Sequence, residues 1–201
     1  MSNMTPQQAP APQFIVPRKP SLVVRFFRLI VEVLQTIFIA ALLFIAVNLV
    51  TARIRVEGSS MEPSLHNGEF VVVNRLAYRW NTPSRGDIIV FNFPLDPQRR
   101  FIKRIIGLPG DTVSAHSNRI YVNGIPLSEP YIAAGPLYTG QWVVGAYEVF
   151  VLGDNRNNSS DSQNWGALPE NDIIGRAELV YWPPEVMGVI PHYNLALAAS
   201  E

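Results

Sequence analysis

The chain has 201 residues, enough for one ordinary domain and a short appendage. Its 16 basic and 16 acidic side chains balance, so no basic field points to nucleic acid, and the lack of cysteine excludes disulfides, thiolate nucleophiles and cysteine-based metal sites. The three histidines, His66, His116 and His192, form no i, i+4 pair and have no triad setting, so no metal site is expected.

Residues 1–20, "MSNMTPQQAPAPQFIVPRKP", are rich in Pro, Gln and Ala and offer little to bury. They open a disordered tail assigned to residues 1–28. A membrane anchor follows over 29–52, because Val33 to Val50 carries no charge and is interrupted only by Gln35, Thr36 and Asn48. At 1.5 Å per residue that stretch spans about 27 Å, close to the hydrocarbon thickness of a bilayer. A cleaved leader is the competing reading, since Val50-Thr51-Ala52 imitates a small-residue cleavage site. The long apolar run and the extended region before it favour an uncleaved anchor. Arg18, Lys19, Arg25 and Arg28 precede the span against Arg53 and Arg55 after it, which predicts a cytoplasmic N-terminus and an extracytoplasmic body.

The body, residues 53–184, alternates short β-branched and aromatic runs with turn residues. Strands are predicted over Glu69 to Tyr78, Gly86 to Pro94, Arg100 to Asp111, Arg119 to Leu127 and Tyr147 to Asn155. Asn123-Gly124 is a hairpin signal, since both positions tolerate positive φ. The 17 prolines and 13 glycines fit this loop- and strand-rich reading. The predicted fold is therefore mainly β, an antiparallel barrel or sandwich preceded by one transmembrane helix. Trp80, Trp165 and Trp182 are read as core or rim packing. Residues 185–201 carry no interpretable motif and are assigned to a C-terminal tail, with His192 incidental.

Three segments carry candidate chemistry. "GSSMEPSL" offers several serines, none with a histidine to activate it. "FIKRIIGLPGD" puts Lys103 between apolar strand neighbours, where a lysine ordinarily lays its stem on the sheet and its head in water. "VLGDNRNNSSDSQNWG" is dense in groups that ordinarily make a solvated turn. Singly, each has this structural explanation.

In that order after a membrane span, the three segments resemble the type I signal peptidases, in a short Gram-positive or cyanobacterial-like form. "YVNGIPLSEPY" and "GRAELVYWPP" add weaker matches, so the likeness runs from the anchor to about Pro184. It implies a Ser–Lys endopeptidase that removes signal peptides after an Ala-x-Ala-type site, without metal or organic cofactor. The serine before Met-x-Pro, Ser60, would be the nucleophile and Lys103 the general base. Phe101, Ile102 and Ile105 could supply the apolar surroundings that lower a lysine pKa. The resemblance makes Ser159 the residue that orients the base, with Asp154 and Asp161 holding the loop. Val56, Met61, Phe101 and Ile102 fall where the family lines its substrate pockets.

Two positions depart from many members. Gln163 stands where an Arg would pair with the second Asp. Gly58 stands where some members carry an oxyanion hydroxyl, leaving that role to the Ser60 backbone N–H with help from Gly58. The implied partners are exported preproteins and the lipid bilayer. The implied location is the plasma membrane, or a thylakoid-type membrane. Only seven residues separate Ala52 from Ser60, so the nucleophile would lie within roughly 27 Å of the bilayer. The rival readings are a self-cleaving repressor-type Ser–Lys protease, which the anchor disfavours, and an inactive anchored β domain that binds exported chains.

Overall fold

The computed structural model describes residues 21–193 and 195. The chain divides into two compact units between Ile45 and Ala46. Helix α1 runs Leu22–Val50, and its stretch Arg25–Val50 is long and apolar enough to cross a membrane. The helix starts earlier than the expected anchor. The first twenty residues of the expected tail lie outside the described residues, but Leu22 to Arg28 is helical. Arg25 and Arg28 interrupt the apolar composition, yet arginine is a good helix former and leaves the backbone ladder intact.

The chain continues directly into strands. In order these are β1 (Thr51–Arg55), β2 (Phe70–Asn74), β3 (Ile88–Phe93), β4 (Asp96–Gly107), β5 (Thr112–His116), β6 (Arg119–Val122), β7 (Ile125–Pro126), β8 (Gly140–Val143) and β9 (Glu148–Leu152). After the short helix α2 (Ser162–Trp165) come β10 (Leu168–Pro169), β11 (Ile173–Trp182) and β12 (Gly188–Val189). One sheet has eight strands in the path β1-β2-β11-β3-β4-β9-β10, with β12 beside β11. The other has four, in the order β7-β6-β5-β8. Every pairing is antiparallel.

The expected mainly antiparallel β architecture behind one apolar helix is present. All five predicted strands form: β2, β3 and β9 are shorter than their runs, the run Arg119 to Leu127 is split at a turn, and β4 is shifted toward the N-terminus, starting at Asp96 and ending at Gly107. Asn123 (φ 53°) and Gly124 (φ 80°) make the expected tight turn between β6 and β7. The central strand β3 explains why its sequence lacks alternation. Ile88 and Val90 face one core cluster while Ile89 and Phe91 face another, so both faces are buried.

Two expectations are corrected. Residues after 184 are not a bare tail: β12 pairs with β11, and Ile190 and Leu195 are buried in separate core clusters. Residues 194 and 196–201 lie outside the described residues. Trp165 packs against Phe91 and Phe93 as expected, whereas Trp80 and Trp182 are exposed.

Candidate active site

Ser60 lies in the turn-rich link between β1 and β2. Met61 and Leu65, both fully buried, pin this link to the core, and the Leu65 N–H donates to Met61 O at 2.9 Å. The polar loop after β9 laces onto the same turn. The Asn155 N–H donates to Ser60 O at 3.0 Å, Asn155 Nδ2 to Ser59 O at 3.2 Å, and Asn158 Nδ2 to Ser59 Oγ at 3.0 Å. Gly153 permits this approach, since a Cβ there would collide with Ser60 O and the Ser159 hydroxyl. Several hydrogen bonds thus hold the serine turn from outside its own segment.

Lys103 lies on β4, paired opposite Ile89 of β3. It is not a surface lysine. Its side chain is buried, and Nζ donates to Ser60 Oγ at 2.6 Å and to Ile102 O at 3.0 Å. Nζ also sits 5.5 Å from the centre of the Phe101 ring. Burial pushes the Lys103 pKa down to about 8, while Asp161 and Asp154 pull the other way. Among the described residues no carboxylate pairs directly with Lys103, so desolvation wins. A hydroxyl in hydrogen-bond contact with an amine of that pKa is an arrangement able to activate a nucleophile.

The next residue, Arg104, is fully buried. Nε and Nη2 donate to the two carboxylate oxygens of Asp154 at 2.9 and 2.7 Å, and Nη1 donates to Gly86 O at 2.9 Å. Asp161 caps α2. It accepts the Gly153 N–H at 2.9 Å and the Gln163 N–H at 3.3 Å, and Asn164 completes a capping box. Burial raises the Asp161 pKa, against the pull of those two N–H groups, the Ser159 hydroxyl and Lys103. Arg156 closes the loop from its other side through a two-oxygen pairing with Glu129 at 2.6 and 2.5 Å.

An open cleft of about 190 Å³ borders the Ser60–Lys103 contact. Ile54, Val90, Phe101 and Ile102 form its apolar wall, and Arg55, Glu57, Arg100 and Ser160 its polar one. Phe101 and Ile102 are therefore where the sequence reading expected them. Val56 and Met61 are not: both are buried in the core cluster that holds Leu65 and Val71, because the link must turn them inward to close that cluster. Ile54 and Val90 take their place.

Two further expectations are corrected. Ser159 Oγ is buried and makes no hydrogen bond of ordinary geometry, to Lys103 or to any other described residue. It faces the Asp161 side of the loop instead. The Gly58 N–H donates to Asn67 Oδ1 at 3.0 Å, so it is already engaged and cannot serve an oxyanion in this geometry. The Ser60 N–H donates to no described acceptor.

Arg104, Glu129, Arg156, Asn155 and Asn158 were missed as site residues. The signal for Arg104 was visible, a second cation inside an Ile-flanked strand. Nothing local marked Glu129 as the anion that pairs with Arg156.

Residues 30–182 match the family model described as signal peptidase, peptidase S26. The chain belongs to that family. A probable signal peptidase I-2 of Synechocystis is 42% identical over 167 residues, covering 79% of this chain and 76% of the relative. A signal peptidase I of Leptolyngbya laminosa is 40% identical, covering 79% and 83%. Signal peptidase I U of Bacillus subtilis is also 40% identical, covering 76% and 87%. The chain is thus a peptidase of the signal peptidase I type, similar to cyanobacterial and Bacillus forms. Beside Gln163, Asp161 is held by the backbone N–H groups of Gly153 and Gln163 and by its capping box.

Proposed function

We propose that this signal peptidase is anchored in the membrane by α1 and removes N-terminal signal peptides from exported preproteins, using Ser60 as nucleophile and Lys103 as general base. The observation that carries the reading is the 2.6 Å contact between Ser60 Oγ and the buried Lys103 Nζ. The reaction begins as neutral Lys103 takes the Ser60 proton and Oγ attacks the scissile carbonyl carbon. The Ser60 N–H, free of other acceptors, donates to the oxyanion. The Lys103 ammonium then passes its proton to the leaving amine, which departs as the new N-terminus of the mature protein. Water, deprotonated by Lys103, attacks the acyl-enzyme, and the signal peptide leaves with a free carboxylate while Ser60 recovers its proton.

The cleft wall of Ile54, Val90, Phe101 and Ile102 is branched and bulky, which suits small residues of an Ala-x-Ala-type site by excluding larger ones. Asp154 and Asp161 serve as loop supports through Arg104 and the α2 cap. Ser159 adds to that support next to Asp161. The basic residues before the span favour a cytoplasmic N-terminus and an extracytoplasmic body, in the plasma membrane or a thylakoid-type membrane.

The test is cleavage of a preprotein with an Ala-x-Ala site by detergent-solubilised protein, comparing wild type with Ser60→Ala and Lys103→Ala. Both variants should fold, by circular dichroism, and both should lose cleavage. Wild-type rates in either would remove that residue from the mechanism.

A further inference from the structure

The last described stretch, Ile190–Tyr193 with Leu195, crosses the body between two separate cores. Ile190 is buried beside Val56, Met61 and Leu65, the residues that flank the Ser60 turn. Its N–H donates to Glu178 O at 2.9 Å on β11. Leu195 is buried in the other cluster, with Ile106, Tyr131 and Phe150. Between them the backbone passes directly over Gly86, where the Tyr193 carbonyl occupies the space a Cβ would need. Gly86 (φ +97°) is therefore the seat of this segment. The same glycine's carbonyl accepts from Arg104 Nη1.

Tyr193 makes the contact that matters for the site. Its ring centre lies 5.4 Å from Arg104 Cζ, and the Tyr131 ring lies 4.0 Å from the same carbon. The two tyrosines also contact each other, with centroids 5.2 Å apart. Arg104 is thus held by the Asp154 carboxylate, by the Gly86 carbonyl, by the Ser64 hydroxyl and by two aromatic rings, one of them from Tyr193. A guanidinium near a ring within about 6 Å, out of water, gains substantially from the ring's quadrupole. Arg104 follows Lys103 on the same strand, and Asp154 opens the loop whose Asn155 holds the Ser60 carbonyl.

We infer that Ile190–Tyr193, together with Leu195, forms a strap in which Tyr193 is a positioning residue, acting through Arg104 and Asp154 on the Ser60–Lys103 pair. The inference rests on the dyad reading above. Its consequence is electrical as well as geometric. Asp154 and Asp161 both draw Lys103 toward its charged form, and Arg104 compensates Asp154. Loosening Arg104 leaves Asp154 less compensated, which favours the ammonium.

The experiment uses the full chain in detergent and four variants. Tyr193→Leu keeps the bulk and removes the π face. Tyr193→Phe keeps the π face and removes a hydroxyl that has no hydrogen bond among the described residues. Leu195→Ala weakens the strap's core packing without touching Arg104. Lys103→Ala reports on the dyad itself. Tyr193→Leu should lower kcat about tenfold with KM nearly unchanged, and should move the acid limb of kcat/KM to higher pH. Tyr193→Phe should restore both, and Leu195→Ala should lower the melting temperature while leaving the limb in place. A wild-type limb and kcat in Tyr193→Leu, alongside an inactive Lys103→Ala, would overturn the strap and leave the dyad standing. An equal limb shift in Leu195→Ala would overturn it too, since packing alone would then suffice. Full activity in Lys103→Ala would overturn both readings.

Discussion

Lys103 and Arg104 are neighbours on one strand, both almost wholly buried, and they meet opposite fates. Arg104, which belongs to a residue type that does not deprotonate in proteins, has a carboxylate across two hydrogen bonds, a carbonyl and a ring face. Lys103 has a hydroxyl and a carbonyl and, among the described residues, no carboxylate in contact, and its pKa falls to about 8. Alternation along β4 sends the two side chains to opposite sides, so one strand carries a permanent cation and a titratable amine side by side. Burial alone therefore does not decide charge. The partner does.

That contrast can be broken from either side. Lys103→Met should cost activity most, about a thousandfold or more in kcat/KM, the range expected for loss of a general base, read by preprotein cleavage. Next comes Asp154→Asn, which strands Arg104 as a buried cation with half its partner. Urea denaturation should show a loss of about 3 kcal/mol. The opposite sign is expected for the stability of Lys103→Met. A lysine with a depressed folded pKa binds fewer protons when folded, so wild-type stability is reduced at neutral pH and recovers as pH rises from about 8 to 10.5. The methionine variant should be more stable at pH 7 by ~2 kcal/mol and should lose that pH slope. One strand would then hold a stabilising and a destabilising cation at adjacent positions.

Smaller effects sharpen the picture. Gly58 has φ +82° with open space around it, so Gly58→Ala should cost about 1 kcal/mol from backbone strain alone, measured by thermal unfolding. The smallest expected effect is in Asp161→Asn. Asparagine keeps a good helix cap but removes a charge that raises the Lys103 pKa, so the acid limb of kcat/KM should move to lower pH by a fraction of a unit. In the wild type, activity should fall about tenfold per unit as pH drops below 8, because the neutral amine is then the minor form. A flat pH–rate profile across that window would contradict the Lys103 assignment.

Much of this was legible in the chain. Apolar runs bounded by Gly, Pro and Asn marked five strands, and Asn123-Gly124 marked a turn, because these are local effects of backbone sterics. Among the strands not predicted, Gly140–Val143 and Gly188–Val189 carry little local signal and exist because a neighbour offers a hydrogen-bonding edge, whereas Ile173–Trp182 was passed over although its β-branched and aromatic residues marked it. The inward turn of Val56 and Met61 was hidden for a similar reason. Their neighbours in the core, Val71, Ile102 and Ile190, come from three distant segments. Ser159 matched a motif position, but its hydroxyl direction depends on how the loop packs against Gly153 and Asp161.

By itself the sequence determined the apolar span, the strand-rich body, the order of the three motif segments and hence the family. These rest on composition, short-range periodicity and contiguous residue types, all written along one dimension. Tertiary structure alone decided that Ser60 Oγ and Lys103 Nζ meet at 2.6 Å, that Arg104 finds Asp154, and that Tyr193 leans on Arg104. Those facts depend on which groups are brought together out of water across 43 or more residues of chain. Desolvation, and the identity of the one group that relieves it, is a property of the fold.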